Sequence, residues 1–551
     1  MTLKRALSAV FAVLMIASCF TVATSAVKTG FSDVEDDRWS AASIRYAVEN
    51  GYMKGVGGDR FDPEGSLTRA MVATVLWRRE GSPAPTAPSC FDDVPAEEWY
   101  TDAVAWAKET GVVKGLTEET FGPDEYITRE QLSTMLFRFS SDAPVPVPGS
   151  ADLRSFPDCD KVSSWAAEPL GWAVAAGLIK GTDGGRLAPG DGATREQFAA
   201  IVDRFDAREK EETASVIGAA VEEIADEAEN MLRSYMDDAL NNGAQLFGSD
   251  DGILLIGLFE AGRYGIIEEF LDFAEAHSEL PNTHPNGVWA GAAGYVFAEM
   301  YAMTGEKRYL DLCEEILSVI RSVPTDVEGE IEYGRAGDEK TTDNVYVDGT
   351  GLCGIFLGRY AALTNDLEIG ELARLQIRNY LKHGVIKKFG YAYHGYNAVE
   401  GKTGGDLAWG RGTGWLMLAM GSVVRFCGDE ELNAECVDFI AKTLKMKRSD
   451  GMFGTFLNDK ALPPDTSATG LIMWGYLKAA EGDASGLTDA SVGRTALSSL
   501  GFVKDGAVYG ASGVSGGWHV YSSEYDLNTH LGQGATLAFL ASYLKTLYPE
   551  P

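Results

Sequence analysis

From about residue 210 onward, apolar residues recur at three- and four-residue intervals, broken by glycine-rich or proline-containing loops. Twelve such stretches begin near residues 211, 252, 264, 287, 307, 345, 366, 409, 430, 466, 488 and 528. Strict alternation, the mark of a half-buried strand, is scarce. The pattern predicts an all-α fold whose twelve helices pair into six hairpins closed in a ring, an (α/α)6 barrel over residues 210–551. Such a ring gathers the N-terminal ends of its inner helices around one cavity, where free amides and helix dipoles favour an anionic ligand.

The first part of the chain repeats itself three times. GYMKGVGGDRFDPEGSLTRAMVATVLWR starts at Gly51, GVVKGLTEETFGPDEYITREQLSTMLFR at Gly111 and GLIKGTDGGRLAPGDGATREQFAAIVDR at Gly177. Trp39, Trp99 and Trp165 share one slot; Arg69, Arg129 and Arg195 share another. Phe31-Ser32-Asp33, Phe91-Asp92-Asp93 and Phe156-Pro157-Asp158 open the units. Each reads as a short helix, a glycine-bracketed turn, a proline-containing loop and a second helix capped by threonine. The three units cover residues 30–82, 90–142 and 155–206 and complete a bundle of helices; the last helix is expected to end near Phe205. The arginine falls in the first helical turn, the wrong end for the helix dipole. Its threefold recurrence suggests a ligand role, the alternative being a structural arginine paired with the aspartate of a neighbouring unit.

The formal net charge of -34 argues against nucleic acid as a partner, since phosphate binding needs a basic surface. Lys4 and Arg5 precede an apolar stretch from Ala6 to Ala17, with small residues up to Ala26. Residues 1–26 read as a secretory signal peptide, placing the mature chain outside the cell. Ile16-Ala17-Ser18-Cys19 offers lipidation at Cys19 as the alternative. No later segment reaches the roughly 18 unbroken apolar residues that a membrane span requires. Six cysteines beyond the signal are scattered without paired spacing and read as buried free thiols. No metal-ligand spacing is visible and no cofactor is called for.

The repeat units resemble S-layer homology domains. The Thr-Arg-Ala-Glu signature of that family stands here as Thr68-Arg69-Ala70-Met71, Thr128-Arg129-Glu130-Gln131 and Thr194-Arg195-Glu196-Gln197, departing at the fourth position each time. The resemblance implies attachment to an anionic secondary cell-wall polysaccharide, held through Arg69, Arg129 and Arg195. Asp33, Asp93, Asp158, Trp39, Trp99 and Trp165 complete the polymer-binding set.

In the ring, DLAWGRGTGWLMLAM starts at Asp406 and places Arg411 between Trp409 and Trp415 on glycine-softened backbone. An arginine offers a planar fork for a carboxylate, and indoles offer flat faces to a sugar ring. A core arginine paired with a neighbouring acid would look the same. The stretch resembles the Trp-x-Arg-x-x-Gly-Trp region of the unsaturated uronyl hydrolases, particularly the unsaturated rhamnogalacturonyl hydrolases of glycoside hydrolase family 105, with unsaturated glucuronyl hydrolases as cousins. Further pieces follow in family order: SDDGILLIGLFEA from Ser249, NGVWAGAAGYVFAEMYAMTGEKRYLD from Asn286, DNVYVDGTGLCGIFLGRYAAL from Asp343, YAYHGYN from Tyr391 and DTSATGLIMWGYLKA from Asp465.

The resemblance implies an oligosaccharide substrate ending in a 4,5-unsaturated uronic acid, hydrated at its C4=C5 bond. Asp348 is the expected acid, at the start of an apolar helix where it could instead be a helix cap; Asp343 is its rival. A single carboxyl can first donate a proton and then activate water when burial favours its protonated form. Arg411 would bind the uronate carboxylate, with Trp409 and Trp415 as walls. His394 would hydrogen-bond sugar hydroxyls or stand as a loop histidine. Asn286 occupies the place where the family carries a second aspartate. Glucuronyl hydrolysis of glycosaminoglycan fragments, and a glycan-binding surface protein without turnover, are the alternatives.

Overall fold

The computed structural model describes residues 30–141, 149–182, 184–335, 343–404, 408–482, 487, 489, 491–512 and 528–548. The expected signal segment and Cys19 lie outside them. The chain forms two compact units, Met1–Glu209 and Lys210–Pro551.

The first unit contains α1 (Ala41–Glu49), α2 (Arg69–Arg79), α3 (Thr101–Glu109), α4 (Arg129–Ser141), α5 (Ala167–Ala175) and the start of α6 (Arg195–Asn241). Threonine starts each second helix. Thr68, Thr128 and Thr194 accept the amides of Met71, Gln131 and Gln197 at 3.3, 3.3 and 3.4 Å. The Gln131 and Gln197 side chains return on the threonine amides at 3.1 and 3.2 Å, so glutamine completes a capping box at the signature's fourth position. The repeats close cyclically: the amides of Leu67, Ile127 and Ala193 donate to the carbonyls of Ala193, Leu67 and Ile127 at 3.0, 2.9 and 3.2 Å.

The repeated arginines serve that same closure. Nε of Arg69, Arg129 and Arg195 donates to the carbonyls of Phe121, Leu187 and Phe61 in the next repeat, at 2.8, 2.9 and 2.8 Å. Arg69 and Arg195 also cover the Phe121 and Phe61 rings at 4.9 and 4.6 Å. All three arginines are buried. Each guanidinium thus satisfies a loop carbonyl of a neighbouring repeat. Asp33, Asp93 and Asp158 are likewise turn residues, each accepting two consecutive backbone amides of its own repeat at 2.7–2.8 Å. Trp39, Trp99 and Trp165 differ: they are 60, 55 and 53% exposed. Arg69→Ala should therefore destabilise the first unit by about 2 kcal/mol in urea unfolding of the full chain. A loss below about 0.5 kcal/mol, the size of an ordinary surface change, would contradict this closure.

No glycine or proline interrupts residues 195–217, which are rich in strong helix formers. The last helix of the third repeat therefore does not end near Phe205, and α6 runs to Asn241 as one element.

The second unit alternates outer and inner helices. The outer ones are the later part of α6, α8 (Tyr264–Ala276), α10 (Lys307–Ser322), α12 (Leu367–His383), α14 (Glu430–Leu444) and α16 (Val492–Leu500). The inner ones are α7 (Ser249–Glu260), α9 (Gly291–Thr304), α11 (Val347–Thr364), α13 (Gly410–Phe426), α15 (Thr466–Glu481) and α17 (His530–Leu547). Each inner helix packs on the next, and α17 closes on α7, so the all-α unit is an (α/α)6 barrel. Small residues allow the seams: a Cβ at Gly534 would come within 2.4 Å of the Ile253 carbonyl oxygen. Alternation also makes all six inner helices run the same way, so their N-termini share one end. Short strands decorate the unit: β1 (Asn344–Tyr346), β4 (Gly395–Asn397) and β5 (Lys402–Gly404) form one sheet, while β2 (Val385–Ile386) pairs β3 (Tyr391–Ala392) and β6 (Val503–Lys504) pairs β7 (Ala507–Val508). Among the described residues no helix is long and apolar enough to cross a membrane. Cys313, Cys353 and Cys436 are buried free thiols as expected, but Cys90 is free and exposed.

Asp251, in the first turn of α7, is fully buried and accepts the Phe247 amide at 2.7 Å. Burial pushes its carboxyl up to about 7 from 3.8, against the pull of the Phe247 and Gly248 amides. The folded chain then keeps a proton that the unfolded chain has released, so this group's contribution to stability falls as pH rises from about 4 to about 7. The loss is about 4 kcal/mol. Asp251→Asn, which imitates the protonated acid, should leave Tm unchanged at pH 4 and raise it by about 5 °C at pH 8. Equal effects at both pH values in calorimetry would refute this assignment.

Candidate active site

The site lies where the inner helices begin. Asp348 is the second residue of α11. Tyr346, not Asp348, holds the cap position, and it makes no side-chain cap bond, so the helix-cap alternative for Asp348 falls. Its carboxylate is 22% exposed, and Oδ2 lies 3.4 Å from Nε2 of His394. The sheet makes that approach. β1 pairs with β4 in the register Tyr346 to Gly395, and the Val347 amide donates to the His394 carbonyl at 3.0 Å. The His394 amide donates to Gly404 at 3.2 Å, which ties in β5. His394 is therefore a buried, fixed histidine rather than a free loop residue.

From His394 a line of rings leads to Arg411. The imidazole packs 4.6 Å from the Trp409 ring, and the Arg411 guanidinium lies 5.1 Å from the same ring. Trp409 holds the cap position of α13, which places Arg411 in its first turn. Arg411 Nη1 donates to the Ser512 carbonyl at 2.9 Å and reaches Ser467 Oγ at 3.5 Å. Asp465 stands behind this contact. It caps α15 through the Ala468 amide at 3.1 Å and accepts both Ser467 Oγ and Ser512 Oγ at 2.6 Å. Trp415 lies in the α11–α13 seam: a Cβ at Gly351 would meet the Trp415 carbonyl oxygen at 2.6 Å.

In the other direction the line continues through residues that the sequence did not single out. Tyr346 packs 5.6 Å from His394, Tyr333 5.9 Å from Tyr346, and Trp289 5.7 Å from Tyr333. Desolvation and then the Asp348 and Asp250 carboxylates push the Tyr333 hydroxyl above its usual range, so both acids act on one phenol. The available signal was an aromatic residue ahead of an inner helix, which on its own is too common to use.

Asn286 and Asp343 lie on the flanks. Asn286 donates to Gln245 Oε1 at 2.7 Å, and Gln245 in turn holds the carbonyls of Leu246, Asn282 and His284. An amide completes this network where a carboxylate would repel Gln245 Oε1. The Asn286 loop reaches the aromatic line through the Val288 amide, which donates to Gly334 at 3.1 Å. Asp343 stands ahead of β1 with left-handed backbone, φ 52°, outside the first turn of α11.

This end of the ring thus combines a half-buried acid, a histidine in contact with it, aromatic faces and a buried guanidinium. Comparisons with known proteins agree with the division into two units. The family model described as Glycosyl Hydrolase Family 88 matches residues 268–547, and the S-layer homology domain matches residues 30–71, 91–133 and 155–199. The Surface-layer 125 kDa protein of Lysinibacillus sphaericus is 29% identical over 215 residues, 38% of this chain and 18% of that protein. An endoglucanase of Bacillus sp. strain KSM-635 is 29% identical over 207 residues, 36% of this chain and 22% of that protein. The chain thus spans less than a quarter of the length of these two relatives. A possible glycoside hydrolase family 105 member from Salmonella enterica has 18% identity and a TM-score of 0.49, covering 59% of this chain and 95% of that one. The unsaturated glucuronyl hydrolase of Bacillus sp. GL1 has 14% identity and a TM-score of 0.48, covering 60% and 96%. The three repeats are S-layer homology domains, and the barrel is a Glycosyl Hydrolase Family 88 domain. The chain belongs to Glycosyl Hydrolase Family 88 and carries three S-layer homology domains ahead of its helical barrel.

Proposed function

We propose that the barrel removes a 4,5-unsaturated uronic acid, an unsaturated galacturonyl group, from the oligosaccharides that polysaccharide lyases release. The observation that carries this reading is the unbroken line Asp348–His394–Trp409–Arg411, which spans an acid and a carboxylate-binding fork within a few ångströms of each step. Arg411 binds the uronate carboxylate by charged hydrogen bonds. Trp409 presents its face to the ring, and Trp415 backs it. Asp348 donates its proton to C4, which leaves an oxocarbenium-like centre between C5 and the ring oxygen. Water adds at C5 and returns its proton to Asp348. The hemiketal then opens to a ketone, and the hemiacetal left at C1 releases the neighbouring sugar. The sum is one water added and one glycosidic bond broken, with a single carboxyl acting first as acid and then as base. His394 orients that carboxyl and Asn286 shapes the entrance.

The secreted protein holds an anionic secondary wall polymer through its first unit. The exposed Trp39, Trp99 and Trp165 offer faces for that polymer. Their triple Ala variant should stop pelleting with purified cell wall while unfolding like wild type; unchanged pelleting would exclude them.

The test of the hydrolase reading follows ultraviolet absorbance of the conjugated enol acid. Full-length protein is mixed with lyase-digested rhamnogalacturonan and, separately, lyase-digested chondroitin. Decay on the first alone is expected. Decay on chondroitin alone would transfer the activity to unsaturated glucuronyl groups, and decay on neither would leave a glycan-binding ring without turnover.

A further inference from the structure

Glu330 lies in the loop between α10 and β1 and takes no part in the chemistry above. It is wholly buried. Two hydroxyls take up its oxygens: Thr350 Oγ1 reaches Oε1 at 2.8 Å, and the Tyr396 hydroxyl makes a short bond to Oε2. Thr350 is two residues beyond Asp348 on α11, and Tyr396 is two residues beyond His394 on β4. Two helical residues turn by about 200°, so Thr350 leaves α11 on the side away from Asp348. Glu330 thus clamps the first turn of α11 to β4 from behind, at the level where Asp348 and His394 meet in front.

The clamp is itself held. The Glu330 amide donates to Asp326 Oδ1 at 2.9 Å, its carbonyl accepts from the Asp326 amide at 2.8 Å, and the next amide donates to Gln376 Oε1 at 2.9 Å. The Tyr396 ring is backed by Tyr380 and His383 at 5.5 and 5.1 Å. We propose that Glu330 is a positioning residue that sets the separation of Asp348 and His394. This rests on the reading of Asp348 as the acid.

Burial, reinforced by the Asp326 and Glu328 carboxylates and opposed by the Tyr396 and Thr350 hydrogen bonds, raises the Glu330 carboxyl well above the ordinary range, which favours its neutral form. A neutral acid has one O–H and one carbonyl oxygen, and both facing hydroxyls can either donate or accept. Glutamine has the same shape and the same pairing. Glu330→Gln should therefore keep the clamp, and Glu330→Ala should release it.

The experiment compares kcat, KM and the crystal structures of the two full-length variants with wild type. Glu330→Ala should lose roughly 10- to 100-fold in kcat with KM within about threefold, the pattern of a misplaced catalytic group. Its Asp348–His394 contact should open from 3.4 Å. Glu330→Gln should stay within about threefold of wild type in kcat and keep the contact. If Glu330→Ala does not fold, Tyr396→Phe replaces it, with a smaller loss of kcat expected. An Ala variant with wild-type kcat and an unmoved pair would overturn the proposal, as would a Gln variant as slow as Ala. If wild type consumes no unsaturated uronide, the hydrolase reading fails, and the pair separation in the two variants still decides the clamp.

Discussion

Asp348→Asn lowers kcat by about 1,000-fold while KM stays within about threefold, because an amide can neither deliver a proton to C4 nor take one from water. Asparagine fills the same space and keeps a contact with His394, so the pocket that binds substrate survives. The measurement is steady-state absorbance decay on the substrate wild type prefers, paired with calorimetric titration of that oligosaccharide into the inactive variant. Asp343→Asn supplies the control. That residue stands before β1 rather than in the first turn of α11, so its variant should keep more than about a tenth of wild-type kcat. A fast Asp348→Asn, or an Asp343→Asn as slow as it, would move the acid elsewhere.

Arg411→Ala produces the second large effect. Charged hydrogen bonds to a buried fork contribute about 1.5–3 kcal/mol, which predicts a loss in kcat/KM of about 10- to 150-fold, mostly through KM. Arg411→Lys keeps the charge but loses the planar fork and should fall between the two. Arg411 also holds the Ser512 carbonyl, so a general loosening could imitate lost recognition. The methyl ester of the unsaturated uronide separates the two causes. Without a carboxylate to bind, wild type and Arg411→Ala should converge to within about threefold on the ester. An equally large gap on acid and ester would refute carboxylate recognition by Arg411.

Much of the fold was legible because helix boundaries are set by local chemistry. The expected starts near 264, 307, 430 and 466 are the starts of α8, α10, α14 and α15. Asp429 and Asp465 cap the last two through the Leu432 and Ala468 amides. The helix end expected near Phe205 failed for the complementary reason: no residue in that stretch opposes a helix. The strands were illegible because β1 to β5 are two or three residues long, too short for any period to register. That omission hid the contact between Asp348 and His394, which those strands create.

The repeated arginines show how one pattern admits two roles. Their spacing and their defiance of the helix dipole marked them as special, and the partner proved to be a loop carbonyl of the adjoining repeat. Recurrence establishes that a position is constrained. Only burial and geometry tell whether the constraint comes from a ligand or from closure.

The sequence by itself determined the helical periodicity, the capped starts, the threefold repeat and the motif that names the barrel, because each is a pattern of residue types in order along the chain. The tertiary structure alone decided that Asp348, His394, Trp409 and Arg411 share one end of the ring, that Trp289, Tyr333 and Tyr346 extend it, and that Glu330 stands behind it. Those contacts join segments tens of residues apart. Their formation depends on ring closure and on three short strands, whose stability comes from packing rather than from local preference.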